Sequence, residues 1–408
     1  MNPLYVGIDV SSKTNVVYFM KPDGSKICNF SVANSLDGSK KLVKNILSAL
    51  EKHSLGEVVI GLESTSVYGE NLVYFLREDG SLAARENRIH VLNPKQVKKF
   101  KEAYNDLPKN DFIDSFVIAD CLRFGRINKA VYLDNYRYTA LKTLTRARFY
   151  AVQNLAKEKQ RLINIIFKKY SSLTQDKVFS DKFGKTALSV YTDFDSVDTL
   201  ANMDLNELTE FIKKKGKNRF DDPDSVAKAL QKAARSSYRL PKTVNDSVNQ
   251  VLSISINSIK AIEAQIRALE KAIAEQMDLI PNTLQSIPGI GPVYAAGIIA
   301  EIGDINRFNS QAALAKYAGL AWTQHQSGDF ESEVTHLIHT GNRFLKYYLC
   351  EAAFSLVRCD TEYKRFYHLK YKEVNKFQHK RALALTARKF VRLVFRLLKD
   401  NRLYIPKS

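Results

Sequence analysis

Residues 4–12 read LYVGIDVSS, the run around which the N-terminal part of the chain is interpreted. It is apolar and β-branched over the length of a strand, which predicts a β-strand with Asp9 near its middle. A second run of this kind, EVVIGLES at residues 57–64, brings in Glu63 near its end. A buried carboxylate without a partner costs several kcal/mol, so an unpaired structural role for Asp9 is disfavoured.

Two more acids stand three residues apart in KNDFIDSFVIADCL, residues 109–122. Asp111 and Asp114 would share one face of a helix, because positions i and i+3 are neighbours there. Carboxylates that converge from separate elements repel one another unless a hard cation holds them, as two Mg²⁺ ions do in phosphoryl-transfer sites. The four acids therefore predict a Mg²⁺ site for phosphodiester chemistry. The alternative is that they are ordinary strand-end and helix-surface acids.

The order of elements around these acids predicts an α/β domain over residues 1–135. Three strands are followed by alternating helices and strands, which is the order of an RNase H-like fold. In such sheets ligands gather at the carboxyl ends of the central strands, near Asp9 and Glu63.

Beyond this domain the fold class is predicted to be all-α. Strand signals almost vanish over residues 136–278, where Asp204 and Asp224 are predicted to cap short helices. A heptad pattern about two heptads long follows, at Ile259, Ile262, Ile266, Leu269 and Ile273. Packing within one chain and a dimerising coiled coil explain it equally well.

A third, mostly helical domain is predicted over residues 279–408, and it begins with a glycine-rich turn. Residues 288–292 read PGIGP between two helical runs, as in a helix–hairpin–helix turn. Gly289 and Gly291 would there expose backbone N–H groups to a phosphate. The alternative is a helix connection without any ligand.

The charge balance favours a polyanionic partner, with nucleic acid the leading class. Net charge is +19, from 62 basic and 43 acidic residues. Residues 142–169 hold eight basic residues against one acid, and residues 361–408 hold 14 against three. Such cations bind phosphates without reading sequence. The candidate contacts are Lys98, Lys99, Arg146, Arg148, Arg388, Lys389 and Arg392.

Four scattered cysteines without a CxxC pair argue against a zinc site or a disulfide framework. They are expected to be buried, reduced thiols of a cytosolic protein. No apolar run approaches membrane-spanning length, and the N-terminus lacks signal-peptide features. We therefore expect a cytoplasmic protein with no membrane partner.

The chain resembles the DEDD transposases of the insertion-sequence-110 family along nearly its whole length. Asp9, Glu63, Asp111 and Asp114 match the family's four acids, in a part that looks like its RuvC-like domain. The C-terminal resemblance lies in SIPGIGPVYAAGIIAEIGD, AALAKYAGLAWTQHQSG and HTGNRFLKYYLCEAA. The second of these segments contains Ser327, which matches the family's catalytic serine. Taken alone, Gln326-Ser327-Gly328 indicates only a turn.

The resemblance implies a transposase that cuts and rejoins DNA through a phosphoserine ester. Mg²⁺ on the four carboxylates would polarise the scissile phosphate and assist Ser327. It further implies a non-coding guide (bridge) RNA, double-stranded donor and target DNA, and a homo-oligomer: a dimer, and a tetramer at synapsis. The setting would be a prokaryotic cytoplasm, with nucleoid association during the reaction. The alternatives are a RuvC-like junction nuclease that uses metal-activated water, and an inactive nucleic-acid-binding scaffold.

Overall fold

The fold is seen in a computed structural model of the chain. It describes residues 2–63, 67–104, 107, 108, 110–125, 136–176, 178–322, 326, 327, 330, 331, 337, 338 and 340–406. The chain divides into two compact units, Met1–Leu133 and Asp134–Ser408. The predicted boundary at residue 278 stays a prediction.

The first unit is built on a five-stranded mixed sheet. Its strands are β1 (Pro3–Val10), β2 (Thr14–Met20), β3 (Lys26–Ala33), β4 (Glu57–Glu63) and β5 (Glu86–Leu92). Their order is β3-β2-β1-β4-β5, with β1–β2 and β2–β3 antiparallel and β1–β4 and β4–β5 parallel. This mixed α/β arrangement is consistent with the predicted RNase H-like domain.

Five helices complete this unit, and the last of them carries two of the candidate acids. They are α1 (Leu36–Lys52), α2 (Glu70–Glu78), α3 (Gly80–Ala83), α4 (Pro94–Lys101) and α5 (Asp111–Phe124). Asn110 caps α5 by accepting from the backbone N–H of Phe112. The helix ends at Gly125, whose φ of 69° is left-handed.

Helix α5 lies directly against β1 because Gly7 has no side chain. A Cβ on Gly7 would come within 2.1 Å of the Ser115 carbonyl oxygen and 2.5 Å of the Ala119 backbone nitrogen. Both partners are backbone atoms of α5, so any larger residue would push the helix away from the strand. The close approach brings the first turn of α5 towards Asp9.

The second unit is almost entirely helical within the residues that the structure describes. Its long helices are α6 (Tyr136–Lys169), α12 (Lys242–Met277) and α17 (Gln378–Asp400). The shorter ones are α7 (Ser171–Gln175), α8 (Lys185–Asp193), α9 (Val197–Asn202), α10 (Leu205–Gly216), α11 (Pro223–Arg235), α13 (Pro292–Ile302), α14 (Gln311–Tyr317), α15 (Arg343–Cys359) and α16 (Thr361–Lys372). Two two-residue strands, β6 (Gln326–Ser327) and β7 (Phe330–Glu331), pair antiparallel. Helices α6 and α12 both contribute residues to each of the unit's two larger hydrophobic cores.

Helices α6 and α12 run antiparallel, tied by polar contacts. Ser255 donates to Glu158 at 2.7 Å, and Arg148 pairs with Glu270 at 2.7 Å, so residue numbers rise on one helix as they fall on the other. The ends of the predicted heptad pattern are buried, and Ile262, Ile266 and Leu269 between them are half-buried. Packing within one chain therefore occurs, and dimerisation through this pattern stays a prediction.

Two sequence predictions need correction here. Asp204 caps α10 as expected, but Asp224 lies inside α11, which Asp222 caps by accepting from Ser225 N–H at 2.9 Å. The reason is Pro223, whose fixed φ suits the first helical position. The helix therefore begins at Pro223, and Asp224 is its second residue. The cysteines are free, yet only Cys121 is buried and Cys359 is exposed.

Across the part of the chain that the structure describes, no helix combines the length and apolar character needed to cross a membrane.

Burial of Lys169 gives a prediction for stability against pH. This side chain, 1% exposed, donates to the backbone oxygens of Tyr191 at 3.0 Å and Phe194 at 2.5 Å, and burial lowers its pKa to about 8. Between pH 8 and 10 the unfolded chain binds the proton more strongly, so stability rises with pH. We expect the free energy of unfolding to rise by about 2 kcal/mol relative to Lys169→Met over this range. Urea titrations of both proteins measure it, and parallel pH profiles would contradict it.

Candidate metal centre and nucleic-acid-binding residues

Three of the predicted acids meet in the first unit. One carboxylate oxygen each from Asp9, Asp111 and Asp114 lies within 4.8 Å of the other two. Asp9 is the penultimate residue of β1, and the other two occupy the first turn of α5. Residues far apart in sequence thus form one group of hard oxygen donors, as Mg²⁺ or another divalent cation requires.

Glu63 is the last residue of β4, the strand beside β1. Burial raises its pKa, and the charges of Asp9 and Asp114 raise it further. Asp9 behaves in the same way: burial raises its pKa most, followed by repulsion from Asp114 and Asp111. The predicted fourth acid is therefore electrostatically coupled to the cluster, although it is not one of the three that meet within 4.8 Å.

Lys101, at the end of α4, is a member of this centre that the sequence analysis missed. Its Nζ donates to Asp114 Oδ1 at 2.5 Å, and its charge lowers the pKa of both Asp9 and Glu63. One lysine offsets only part of the negative charge of four acids, so the site fits a divalent cation. The run KQVKKFK gave no signal that would single out Lys101 from Lys98 and Lys99.

Asp120, on the same helix as Asp111 and Asp114, belongs to a different network. Its carboxylate accepts from the Tyr104 hydroxyl and, at 2.6 Å, from Arg123 Nε. These partners satisfy it without a metal. It therefore makes a useful comparison for the three clustered acids.

Ser327 lies in the second unit, on the short strand β6. In the β6–β7 pair it stands opposite Phe330. The turn that Gln326-Ser327-Gly328 indicates stays a prediction. Gly328 lies outside the described residues.

The two glycines of the PGIGP turn differ. Gly289 has a φ of +81°, and a Cβ there would come within 2.8 Å of Cys359 Sγ, so packing and backbone conformation already require glycine. Gly291 is the N-cap of α13, which has no side-chain cap, and the space around its missing Cβ is open. Phosphate binding at both stays a prediction, and Gly291 is the better placed of the two.

Two of the candidate arginines have structural partners. Arg146 donates to both carboxylate oxygens of the buried Glu301, at 2.7 and 3.0 Å. Arg148 pairs with Glu270, and its side chain is 12% exposed. Lys98 and Lys99, in contrast, are exposed on α4. Lys98 and Lys99 therefore stay candidate phosphate contacts, whereas Arg146 and Arg148 are already bound by carboxylates of the protein.

The three candidate phosphate contacts on α17 differ in their protein partners and in their exposure to solvent. Arg388 donates to the Gln311 carbonyl at 3.3 Å, and Lys389 pairs with Glu362 at 2.7 Å while lying over Tyr363 and Phe366. Arg392 is exposed. It is therefore the one of these three best placed for a nucleic acid.

Comparison with known proteins matches both halves of the chain. A DEDD family model described as an IS110 transposase matches residues 6–170, and a model of the transposase IS116/IS110/IS902 family matches residues 282–368. An uncharacterised 44.8 kDa protein of insertion element IS116 from Streptomyces clavuligerus is 25% identical, over 99% of this chain and 96% of the relative. An uncharacterised 43.6 kDa protein of IS110 from Streptomyces coelicolor is 25% identical over 98% and 95%. With both models matched in order and relatives aligned end to end, the chain belongs to the IS110 family of DNA transposases.

Proposed function

We propose that this transposase cuts and rejoins DNA through a phosphoserine intermediate at Ser327, with Mg²⁺ bound by Asp9, Glu63, Asp111 and Asp114. The observation that carries the proposal is the convergence of three carboxylates from β1 and α5 within 4.8 Å. The strand order of the first unit supports an RNase H-like, RuvC-like domain around them. We further propose three domains, over residues 1–135, 136–278 and 279–408.

In this proposal the carboxylates hold the metal rigidly. The Asn110 cap fixes the first turn of α5, and sheet pairing on both sides fixes β1. Bound Mg²⁺ would neutralise charge on the scissile phosphate and promote attack on it. Lys101 orients Asp114 through their ion pair.

The serine step conserves the phosphodiester bond. The Ser327 hydroxyl loses its proton and attacks phosphorus, and the bond from phosphorus to one DNA oxygen breaks as that oxygen takes a proton. The hydroxyl of another DNA end later attacks the phosphoserine and releases Ser327 with its proton restored. One phosphoester bond forms for each that breaks, so no external energy source is needed.

A junction nuclease using metal-activated water is the second candidate, because the same carboxylates would serve it. The two mechanisms differ in one detectable species. The transposase mechanism passes through a covalent protein–DNA adduct, whereas attack by water leaves free DNA ends and no adduct. Denaturing electrophoresis of the protein with labelled DNA and Mg²⁺ therefore tests the proposed mechanism.

A non-coding bridge RNA would select donor and target DNA, and a homo-oligomer, a dimer that forms a tetramer at synapsis, would bring them together. The resemblance supports both parts of this proposal. The net charge of +19 is compatible with binding RNA, which proteins read largely through shape and backbone contacts.

Lys101 gives a testable consequence for metal binding. Lys101→Met removes the cation that offsets the acids, so the metal-free protein should lose about 1 kcal/mol of stability. Mg²⁺ should then raise the melting temperature more than it does in the wild-type protein, because the ion relieves more repulsion. Calorimetry with and without Mg²⁺ measures this. Lys98→Met, on the exposed face of the same helix, is the control, and equal Mg²⁺ effects in all three proteins would exclude the role of Lys101.

The exposed cations of α17 predict a salt effect. Arg392→Gln with Arg396→Gln should weaken DNA binding and reduce the slope of log affinity against log salt by about 0.9 per lost phosphate contact. Fluorescence anisotropy of a labelled duplex across a salt series measures the slope. Arg388→Gln should change it less, because Arg388 is less exposed than Arg392 and Arg396 and donates to the Gln311 carbonyl. An unchanged slope in the double variant would mean that these cations touch no phosphate.

A further inference from the structure

A cavity of about 490 Å³ lies in the second unit, between the start of α8 and the end of α10. Gly184, Lys185 and Thr186 line it from α8, and Gly216 and Lys217 line it from α10 and the residue after it. None of the residues already assigned to DNA chemistry takes part. The cavity is therefore separate from the candidate sites described above.

The N-terminus of α8 lines this cavity and has no side-chain cap. Gly184 is the N-cap and has no side chain to accept from the first backbone N–H groups of the helix. The neighbouring helices differ: Ser196, Asp204 and Asp222 each cap their helix through a side-chain oxygen. Asp181, which also lines the cavity, accepts from Phe183 N–H and not from α8. The free N–H groups and the helix dipole suit an anion.

Thr186 is an independent indication of a ligand. It is 8% exposed and lines the cavity, yet its hydroxyl has no hydrogen-bond partner among the described residues. Its Oγ1 lies 3.6 Å from the position that a Cβ on Gly216 would take, so it faces the α10 side of the cavity. Its Oγ1 keeps access to solvent, so a ligand in the cavity can reach it. A ligand oxygen in the cavity would pair it.

Cations outnumber acids at this cavity. Lys185, Lys217 and Arg219 line it and form no ion pair within the described residues. Lys215 is neutralised by Asp193 at 2.5 Å, and Asp181 contributes one opposing charge. The balance stays positive, and Lys217 and Arg219 are exposed to solvent at its edge.

We propose that this cavity binds a backbone phosphate of a nucleic-acid strand. The phosphate would accept from the first N–H groups of α8 and from the Thr186 hydroxyl, with Lys217 and Arg219 holding it from the solvent side. The exposed cations favour a strand that continues beyond the cavity over a small free anion. The inference rests on the proposed function only in taking nucleic acid as the partner, and it requires neither Mg²⁺ nor Ser327.

The test uses the full-length protein without Mg²⁺ and two variants that alter the cavity in different ways. Thr186→Val replaces the hydroxyl with a methyl of similar size. Lys217→Asn with Arg219→Gln removes two charges, and asparagine tolerates the left-handed φ of 51° at position 217. The matched control is Lys214→Gln with Lys228→Gln, which removes two exposed charges from α10 and α11 away from the cavity.

Binding of a 40-nucleotide single-stranded RNA and of a 40-base-pair DNA duplex is measured by fluorescence anisotropy over a salt series. For at least one of these probes, we expect the cavity double variant to lose about tenfold in affinity and roughly one unit of salt slope. Thr186→Val should lose about threefold to fivefold with its slope unchanged, because a hydroxyl releases no counterions. The control should change affinity less than twofold.

Three outcomes would overturn the proposal. Equal losses in the control and the cavity double variant would show only general charge attraction. Unchanged binding of both probes, with inorganic phosphate still stabilising wild type and not Thr186→Val, would make the cavity a free-phosphate site. Unchanged binding with no phosphate effect would leave no site at all. Since the assay measures binding alone, loss of the serine adduct elsewhere would not affect it, and the two proposals fail separately.

Discussion

Asp9→Asn is expected to lower DNA cleavage by roughly 10³-fold or more, because it removes a metal ligand from the centre of the carboxylate cluster. The same change should stabilise the metal-free protein. Asp9 is half-buried among like charges, which raise its pKa together with burial. Its raised pKa means that the metal-free fold loses stability as pH rises through the titration of Asp9, and asparagine removes that loss.

The measurement combines cleavage of labelled donor DNA with melting curves, with and without Mg²⁺. Wild type should be stabilised by Mg²⁺, and Asp9→Asn should melt at one temperature in both conditions. Asp114→Asn should lose cleavage to the same extent but gain less stability, because it leaves Lys101 without its ion pair. Wild-type cleavage by either variant in Mg²⁺ would show that the cluster is not the metal site.

Asp120→Asn is the matched control on the same helix. It weakens the contacts of Asp120 with Tyr104 and Arg123, so it should lower the melting temperature. The Mg²⁺ effect and the cleavage rate per folded molecule should remain. In the metal-free protein, Asp9→Asn should raise the melting temperature and Asp120→Asn should lower it. This difference distinguishes an acid in a repulsive cluster from an acid that is paired within the fold.

Ser327→Ala should remove the protein–DNA adduct and recombination together, while Mg²⁺ and DNA binding persist. A DNA substrate nicked near the cleavage point lets the small leaving fragment diffuse away. The wild-type protein should then remain attached to DNA through a serine ester, in an adduct whose protein part a protease digests. Alanine has no hydroxyl to attack phosphorus, so no ester can form. Denaturing gels before and after protease treatment measure the adduct.

Ser327→Cys sharpens this test. A thiol is a better nucleophile but suits a hard-metal site poorly, so weak cleavage with a thiol-linked adduct is expected. If Ser327→Ala still cut DNA and left free ends, water would be the nucleophile and the junction nuclease would replace the transposase mechanism. DNA binding by each variant, measured alongside, separates a chemical defect from a folding defect.

Much of the first unit could be predicted from local patterns. β-branched apolar runs predict β1 and β4, and the i, i+3 spacing places Asp111 and Asp114 on one helical face. Lys101 could not be found in this way, because α4 and α5 meet only after the chain has folded. Nor could spacing foresee that Arg148 and Arg146 pair with Glu270 and Glu301, more than 100 residues away.

Residue type and short-range periodicity were enough to predict the positions of the acids and the strand and helix types around them, and the motifs in the chain were enough to carry the resemblance to its family. Which of these groups meet depends on tertiary packing. Gly7 permits the backbone approach that brings α5 to β1, and that contact turns separate acids into one cluster. The cavity at Thr186 likewise exists because α8 and α10 pack together, and no sequence motif predicts it. Such contacts join distant residues, and no local pattern encodes which distant surface a given face will meet.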